Sequence, residues 1–170
     1  ELSEALDLFK FEAYEVKELN LLREGQVPDD AEMILLISPK KDLSIEETIA
    51  LDVYLGQGGK LFIAVDPFSS NEKILQNLNG LVQLYGLDVS NNIVIEENPN
   101  NFYGNNKMNV IPGYVQHAIT ESLAQDRRYP VLALARGLRR TEVDSEKIAV
   151  QPLLMSSDQS WMRTDLENVQ

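Results

Sequence analysis

The sequence predicts an α/β fold with a mainly parallel sheet flanked by helices. A continuous apolar run at residues 33–37 and the segment 60–65, which is apolar after Lys60, are typical of strands covered on both faces. Helical patterns at residues 44–57 and 74–85 alternate with these runs through short connections. Such an alternation favours crossovers between parallel strands, and it predicts the sheet and the helices on its faces together.

Two elements are predicted before this alternation. Apolar side chains within residues 2–11 share one helical stripe with acidic residues opposite, which predicts an amphipathic helix. Residues 14–19 alternate at a period of two, which predicts a half-buried strand.

The best-defined helix begins at a capping box. Ser44 is expected to accept a hydrogen bond from a free backbone N–H, and Glu47 is expected to reach back to the cap. Gly58 is predicted to end this helix in the left-handed conformation, and Gly86 to end the next helix. The helix that begins at Ser44 has an apolar face, which is expected to pack on the core. This face contains Ile45, Ile49, Leu51, Val53, Tyr54 and Leu55.

The second half of the chain gives weaker patterns. Residues 92–96 predict a further strand of the sheet. Residues 97–113 are rich in Asn, Pro and Gly and predict a long loop, a length that is usually functional or mobile. A short helix is predicted at residues 119–125, with two more strands at residues 131–135 and 147–154.

Length and composition limit the class of protein. A chain of 170 residues suits one domain with a sizeable core, so residues 1–170 are interpreted as a single α/β domain. The formal charge of −12 excludes the basic footprint that nucleic-acid binding requires, and it disfavours anionic lipid surfaces. The absence of cysteine excludes thiol nucleophiles, CxxC redox chemistry and thiolate metal sites.

The basic residues include one short cluster with two interpretations. A cluster of this size is typical of a solvated face or a local network of salt bridges, and the alternative is a small footprint for nucleic acid. Its members are Arg127, Arg128, Arg136, Arg139 and Arg140.

Two motifs that resemble catalytic or cofactor sites have better structural explanations. The glycines at positions 56, 58 and 59 follow a predicted helix and precede a strand, the reverse of the order in a dinucleotide-binding loop. His117 is the only histidine, and no G-x-S-x-G nucleophile elbow accompanies it. A structural or hydrogen-bonding role for His117 is therefore favoured over a catalytic or metal-binding one.

Candidate ligand-binding residues follow the predicted strands. Open parallel sheets bind ligands at the carboxyl ends of their strands, although prolines there can simply end a strand. Trp161 lies among small polar residues, where it is either a buried anchor or a surface that stacks on a sugar or a partner. The complete set of candidates is Ser38, Lys40, Lys41, Asp66, His117 and Trp161. No catalytic residue, metal ligand or cofactor is predicted.

Several phrases of the sequence, taken in order, resemble one known family. They cover most of the chain, and their combination is more specific than any one of them. The phrases are YEVKELNLL, VPDDAEMILLISPKKDLSIEETIALDVYLGQGGKLFIAVDP, NLNGLVQLYGLDVSNNIVIE, HAIT, ARGL and LLMSSDQSW. On these phrases the chain resembles the GldG-like family, which comprises auxiliary components of ABC-type transport systems associated with gliding motility.

The resemblance implies an extracytoplasmic domain, anchored by transmembrane segments outside this sequence, that works with an ABC permease and an ATPase. It also implies a flavodoxin-like or glutamine-amidotransferase-like three-layer sandwich, a fold for which carbohydrate binding has been proposed. Such domains usually begin with a strand that ends in a Gly-His-Gly-Glu-like turn. Glu1 would be that glutamate, so the first strand of the sheet is expected to precede this sequence.

Three functions follow as hypotheses. The leading one is a non-catalytic, extracytoplasmic auxiliary domain of an ABC-type transport system, acting through protein or ligand interactions. The alternative is a receptor for a carbohydrate or small ligand, with Ser38, Lys40, Asp66 and His117 around one crevice. The third is a hydrolase that would use a carboxylate and His117.

Overall fold

A computed structural model of the chain describes residues 2–68, 75–143 and 148–167. The helices are α1 (Leu2–Phe11), α2 (Leu21–Glu24), α3 (Ile45–Gly56), α4 (Gln76–Gln83) and α5 (Ala118–Gln125). The strands are β1 (Ile34–Ile37), β2 (Leu61–Ala64), β3 (Leu87–Asp88), β4 (Ile93–Ile95), β5 (Asn109–Val110), β6 (Gly113–Tyr114), β7 (Leu132–Ala133), β8 (Arg139–Arg140), β9 (Leu154–Met155) and β10 (Trp161–Arg163). Within these ranges no helix combines the length and the apolar character needed to cross a membrane.

The strands form separate pairs. Strands β1 and β2 are parallel, as predicted, and their register runs from Ile34 opposite Leu61 to Ile37 opposite Ala64. The pairs β3–β8, β4–β10, β5–β7 and β6–β9 are all antiparallel. The prediction of a mainly parallel sheet in a flavodoxin-like or glutamine-amidotransferase-like three-layer sandwich is therefore wrong.

Strand β4 explains how that error arose. All three of its residues are buried, as the apolar run at residues 93–95 indicates. Their partner is β10, with Val94 opposite Met162, and the predicted neighbour in a parallel sheet is not the partner. An apolar run reports that a strand is covered, but it contains no information on which strand pairs with it or in which direction.

Other predicted strands and loops are confirmed only in part. Residues 14–19 form no strand, so that prediction is wrong. The predicted strand at residues 131–135 is reduced to β7, and the one at 147–154 survives only as the start of β9, with residue 147 outside the described part. The predicted long loop at residues 97–113 contains β5.

The predicted helices at residues 2–11 and 119–125 are confirmed by α1 and α5.

The capping box of α3 is confirmed. The Ser44 Oγ accepts a hydrogen bond from the Glu47 N–H at 3.2 Å, and the Glu47 carboxylate accepts one from the Ser44 N–H at 2.8 Å. Gly58 follows the helix with a φ of 94°, the left-handed conformation that was predicted for it.

Only half of the predicted apolar face of α3 packs on the core. Leu51 is 2% exposed, and Tyr54 and Leu55 pack against the same cluster. The other three residues of that predicted face, Ile45, Ile49 and Val53, are 66%, 58% and 54% exposed. Helix α3 is therefore apolar on its buried face and also on its outer face.

Helix α4 is capped by a residue from another segment. Its N-cap position, Leu75, has no side-chain oxygen to accept the first free N–H groups. Asp42, in the loop between β1 and α3, supplies that oxygen: its carboxylate accepts from the Asn77 N–H at 2.8 Å and the Leu78 N–H at 3.2 Å. This carboxylate stabilises the positive end of the helix and joins α4 to the β1–α3 loop.

Three apolar clusters form the core of the described residues. The largest comprises Phe68, Leu75, Leu78, Val82 and Val89. A second comprises Val27, Leu51 and Leu81 beneath α3, and Leu43 packs against both of these clusters. A third comprises Ile93, Ile95 and Leu166 around β4.

A buried carboxylate closes the end of β4. Glu96 is fully buried, and its two oxygens accept hydrogen bonds from the Ser157 N–H at 3.0 Å, the Ser157 hydroxyl at 2.5 Å and the Asn98 N–H at 2.9 Å. Burial alone raises the pKa of Glu96, but the hydrogen bonds from Ser157 and from nearby backbone N–H groups outweigh it and hold the pKa below its usual value. The hydrogen bonds of Glu96 thus connect the loop that follows β4 to the loop that precedes β10.

A buried amide performs a similar function at the start of β4. Asn92 is 2% exposed, and its Oδ1 accepts from the Gly137 N–H at 2.7 Å. Its Nδ2 donates to the Ser90 carbonyl at 2.8 Å and to the Gly137 carbonyl at 2.9 Å. One side chain therefore satisfies three backbone groups and ties residue 137 to β4.

Candidate functional site

The candidate site lies where β1 and β2 end. Ser38 follows β1 directly, and Asp66 lies two residues after β2. Because the two strands are parallel and in register, both residues leave the pair at the same end. The Ser38 N–H continues the pairing by donating to the Ala64 carbonyl at 2.7 Å.

Three of the predicted residues meet at this position. The Ser38 hydroxyl donates to the Asp66 carboxylate, and the Lys40 ammonium lies 2.6 Å from Ser38 Oγ and 3.3 Å from Asp66 Oδ2. Ser38 has a φ of 47°, a left-handed conformation that is uncommon for a serine. The side chains of Lys40 and Asp66 are largely exposed, so their ion pair contributes at most about 1 kcal/mol to stability.

An arginine stands behind this group, which we name the Asp66 cluster (Ser38, Lys40 and Asp66). The Arg136 guanidinium donates to the Val89 carbonyl at 2.7 Å and to Asn91 Oδ1 at 2.9 Å. It also lies over the ring of Phe68, 5.2 Å from its centroid, in a cation–π contact. Its Nε is buried and has no hydrogen-bond partner among the described residues.

These contacts determine the charge of the cluster. The hydrogen bond from Ser38 lowers the pKa of Asp66; partial burial opposes it, and the charges of Lys40 and Arg136 add to the lowering. Burial lowers the pKa of Arg136, against the opposing effect of Asp66. A carboxylate with a lowered pKa is a poor general base at neutral pH. The cluster is therefore suited to hydrogen bonding with a polar group and poorly suited to proton transfer.

Replacing Ser38 with alanine is expected to raise the pKa of Asp66, because the hydrogen bond that contributes most to lowering it disappears. An NMR titration of the aspartate carboxyl carbons would measure the change. Ser90→Ala is a matched control, since the Ser90 hydroxyl donates to Asp88 in the same way and its removal should leave the pKa of Asp66 unchanged. An unchanged pKa of Asp66 in Ser38→Ala would show that this hydrogen bond is not formed.

The other predicted residues do not contact the Asp66 cluster within the described structure. Lys41 is exposed and makes no hydrogen bond or ion pair with the described residues. His117 caps α5, where its Nδ1 accepts from the Ile119 N–H at 3.1 Å. Trp161 is 49% exposed on β10, so it is not the buried anchor of one interpretation, and its Nε1 lies 3.4 Å from a carboxylate oxygen of Glu97. The predicted crevice shared with His117 is thus not formed by direct contacts.

The arginines that form a cluster in sequence do not act as one group. Arg136 is partly buried behind the Asp66 cluster, whereas Arg139 and Arg140 lie exposed on β8. Arg128 lies 3.6 Å from Asp126 in an exposed ion pair. Across the described ranges, no group of His, Asp and Glu side chains is arranged to hold a metal ion.

Sequence reasoning missed the part played by Arg136, Phe68 and Asn91. Asn91 accepts from the Phe68 N–H at 3.0 Å and returns a hydrogen bond to the Phe68 carbonyl at 3.0 Å. These residues meet across separations of 23 to 68 positions, which no local pattern reports. A shallow groove of about 490 Å³ lies elsewhere, lined by Glu18, Leu19, Asn20, Leu22, Arg23 and Glu47.

Comparison with known proteins places the chain in a family. The family model of an ABC-type uncharacterized transport system, auxiliary component, matches residues 7–170, and the chain belongs to this family. No curated protein matches the sequence significantly, and no solved structure matches it significantly.

Proposed function

We propose that this member of the ABC-type transport family is a non-catalytic, extracytoplasmic auxiliary domain that acts by contacting other components of the transport system. The observation that carries the proposal is the family match, which extends over residues 7–170. Within the family we assign the chain to the GldG-like branch, on the phrases quoted above. We further propose that transmembrane segments outside this sequence anchor the domain.

The chemistry of the chain supports a binding role over catalysis. The hydroxyl of Ser38 donates to a carboxylate, and no imidazole is placed beside it among the described residues to act as its base. His117 instead accepts a backbone hydrogen bond at the start of α5. Ligand binding at the Asp66 cluster remains a prediction.

The permease is the proposed direct partner, and the ATPase is the partner reached through it. A domain on the outer side of the membrane contacts the permease there, whereas the ATPase of such a system works on the opposite side. Purifying the tagged full-length protein from mildly solubilised membranes should therefore recover both subunits, identified by mass spectrometry. Protease should cleave the domain, and spare a cytoplasmic marker, when it is added to cells whose outer membrane is permeabilised and whose inner membrane is closed.

Two results would overturn the proposal. One is repeated recovery of the tagged protein without any permease or ATPase subunit, while a known membrane complex purified in parallel stays intact. The other is complete protection of the domain from external protease, with cleavage only after the inner membrane is opened.

A further inference from the structure

Helix α3 carries an apolar surface that folding of this domain does not explain. An amphipathic helix normally turns its polar residues to solvent and its apolar residues to the core. In α3 the core already receives Leu51, Tyr54 and Leu55. Ile45, Ile49 and Val53 are each more than half exposed and point away from that core.

The three exposed residues form one line. They are spaced by four positions, which places them on the same face of the helix, about 6 Å apart along its axis. We name this line the outer stripe of α3 (Ile45, Ile49 and Val53). Single exposed apolar residues are common on protein surfaces, whereas contiguous apolar patches rimmed by polar residues are the feature associated with interaction sites.

Both sides of the outer stripe are acidic. At about 100° per residue, Glu46 and Asp52 project roughly 60° to either side of Ile49. Both are exposed, and Asp52 also accepts a hydrogen bond from the Tyr85 hydroxyl at 3.1 Å, which fixes its position. The stripe thus has an apolar centre with a carboxylate on each edge.

We propose that the outer stripe of α3 is the docking surface for an amphipathic helix of a partner protein, one whose apolar face is bordered by Lys or Arg residues. A helix of this kind covers the three aliphatic side chains and pairs its cations with Glu46 and Asp52. This inference rests on the proposed function, because it assigns the surface through which the domain contacts its transport system.

Charge distinguishes this occupant from the alternatives. Because both edges of the stripe are acidic, pairing two copies through their outer stripes brings carboxylates together on each side, which is repulsive. The formal charge of −12 on the whole chain opposes both self-association and attachment to anionic lipid. A basic partner helix avoids the repulsion between carboxylates of two copies and the repulsion from anionic lipid.

Photo-crosslinking in the full-length membrane protein tests the proposal. A photoreactive amino acid in place of Ile49 should crosslink to a transport-system subunit, at a peptide that contains an apolar stripe and at least two Lys or Arg residues beside it. The same amino acid in place of Leu138 is the matched control, since Leu138 is also 58% exposed but lies outside α3. The control position should give no such product.

A substitution in the outer stripe tests the proposal quantitatively, through the amount of permease recovered. Ile49→Gln should reduce the amount of permease recovered with the tagged protein at least tenfold, as expected for an apolar residue at the centre of an interface. Leu138→Gln should leave recovery unchanged, and both variants should keep the wild-type melting temperature within a few degrees because the side chains are exposed. Raising the salt concentration should weaken recovery of the permease by the wild type.

The outcomes separate this inference from the proposed function. If the wild type recovers the transport subunits and Ile49→Gln recovers them equally, the docking surface is wrong while the proposed function stands. Crosslinks at position 49 to a second copy of the chain, to lipid, or to a peptide without basic residues would also overturn the inference. Absence of transport subunits from the wild-type sample overturns the proposed function itself.

Discussion

Replacing Glu96 with alanine is expected to lower the free energy of unfolding by about 3 kcal/mol, because three donors lose a charged acceptor in a fully buried position. For a chain of this length the corresponding fall in melting temperature is about 6–12 °C. Chemical denaturation and thermal unfolding of the wild type and the variant measure the difference. Glu96 has the only buried carboxylate among the described residues.

Glu97→Ala is the matched control for Glu96→Ala. Glu97 is the neighbouring residue, but it is exposed and forms a surface ion pair with Lys107. Such pairs contribute at most about 1 kcal/mol. Equal destabilisation by the two substitutions would contradict the role assigned to Glu96.

The effect of Glu96 should also depend on pH. Its pKa is lower in the folded state than the ordinary value of 4.5. The stability it provides is therefore complete above the unfolded-state pKa and is lost as the pH falls through the lower folded-state pKa. The difference in unfolding free energy between the wild type and Glu96→Ala should narrow in acid, and a difference that widens there would exclude this explanation.

Asn92→Asp is expected to destabilise the protein by about 2–4 kcal/mol although it changes the shape of the side chain very little. The amide nitrogen that donates to the Ser90 and Gly137 carbonyls becomes an oxygen, which faces those carbonyls with no proton to share. Because a protonated carboxyl can donate one hydrogen bond, the loss should become smaller at low pH. Denaturant titrations at neutral and acidic pH measure both effects.

Asn105→Asp tests whether the added charge alone is responsible. Asn105 is exposed, so the same chemical change there should alter stability by less than about 0.5 kcal/mol. If the substitution at position 92 were equally mild, the hydrogen bonds assigned to Asn92 would not be stabilising β4.

The elements predicted correctly depend on signals within a few residues. The capping box at Ser44 and Glu47 defines the start of α3 within one turn, and Gly58 and Gly86 lie where left-handed backbone is needed. The parallel pair β1–β2 also follows from local alternation of strand and helix. The capping box and the glycines act within one helical turn, and the parallel pair is joined by a single crossover through α3.

The elements predicted wrongly depend on partners that are distant in sequence. Residues 14–19 have the alternation of a strand, but no strand pairs with them in the described structure. Strand β4 pairs with β10 more than 60 positions later. Burial alone did not indicate that pairing, and the strands after β2 were therefore predicted with the wrong directions.

The residues of the candidate site could be predicted from the sequence only where they follow a predicted strand. Ser38, Lys40 and Asp66 were predicted because they follow two strands, and the parallel register brings them together. Arg136 comes from a distant segment, and its sequence neighbours suggested membership of a different, basic cluster. Its place behind Asp66 required the three-dimensional structure.

The Asp42 carboxylate at the start of α4 has a consequence for how the domain opens. The first N–H groups of a helix usually exchange with solvent freely, because nothing in the helix accepts them. Here the Asn77 and Leu78 N–H groups are held by a residue from the loop before α3. Fraying of α4 from its first turn therefore requires that loop to release it, and we expect these two N–H groups to exchange with solvent more slowly than those at an uncapped helix start.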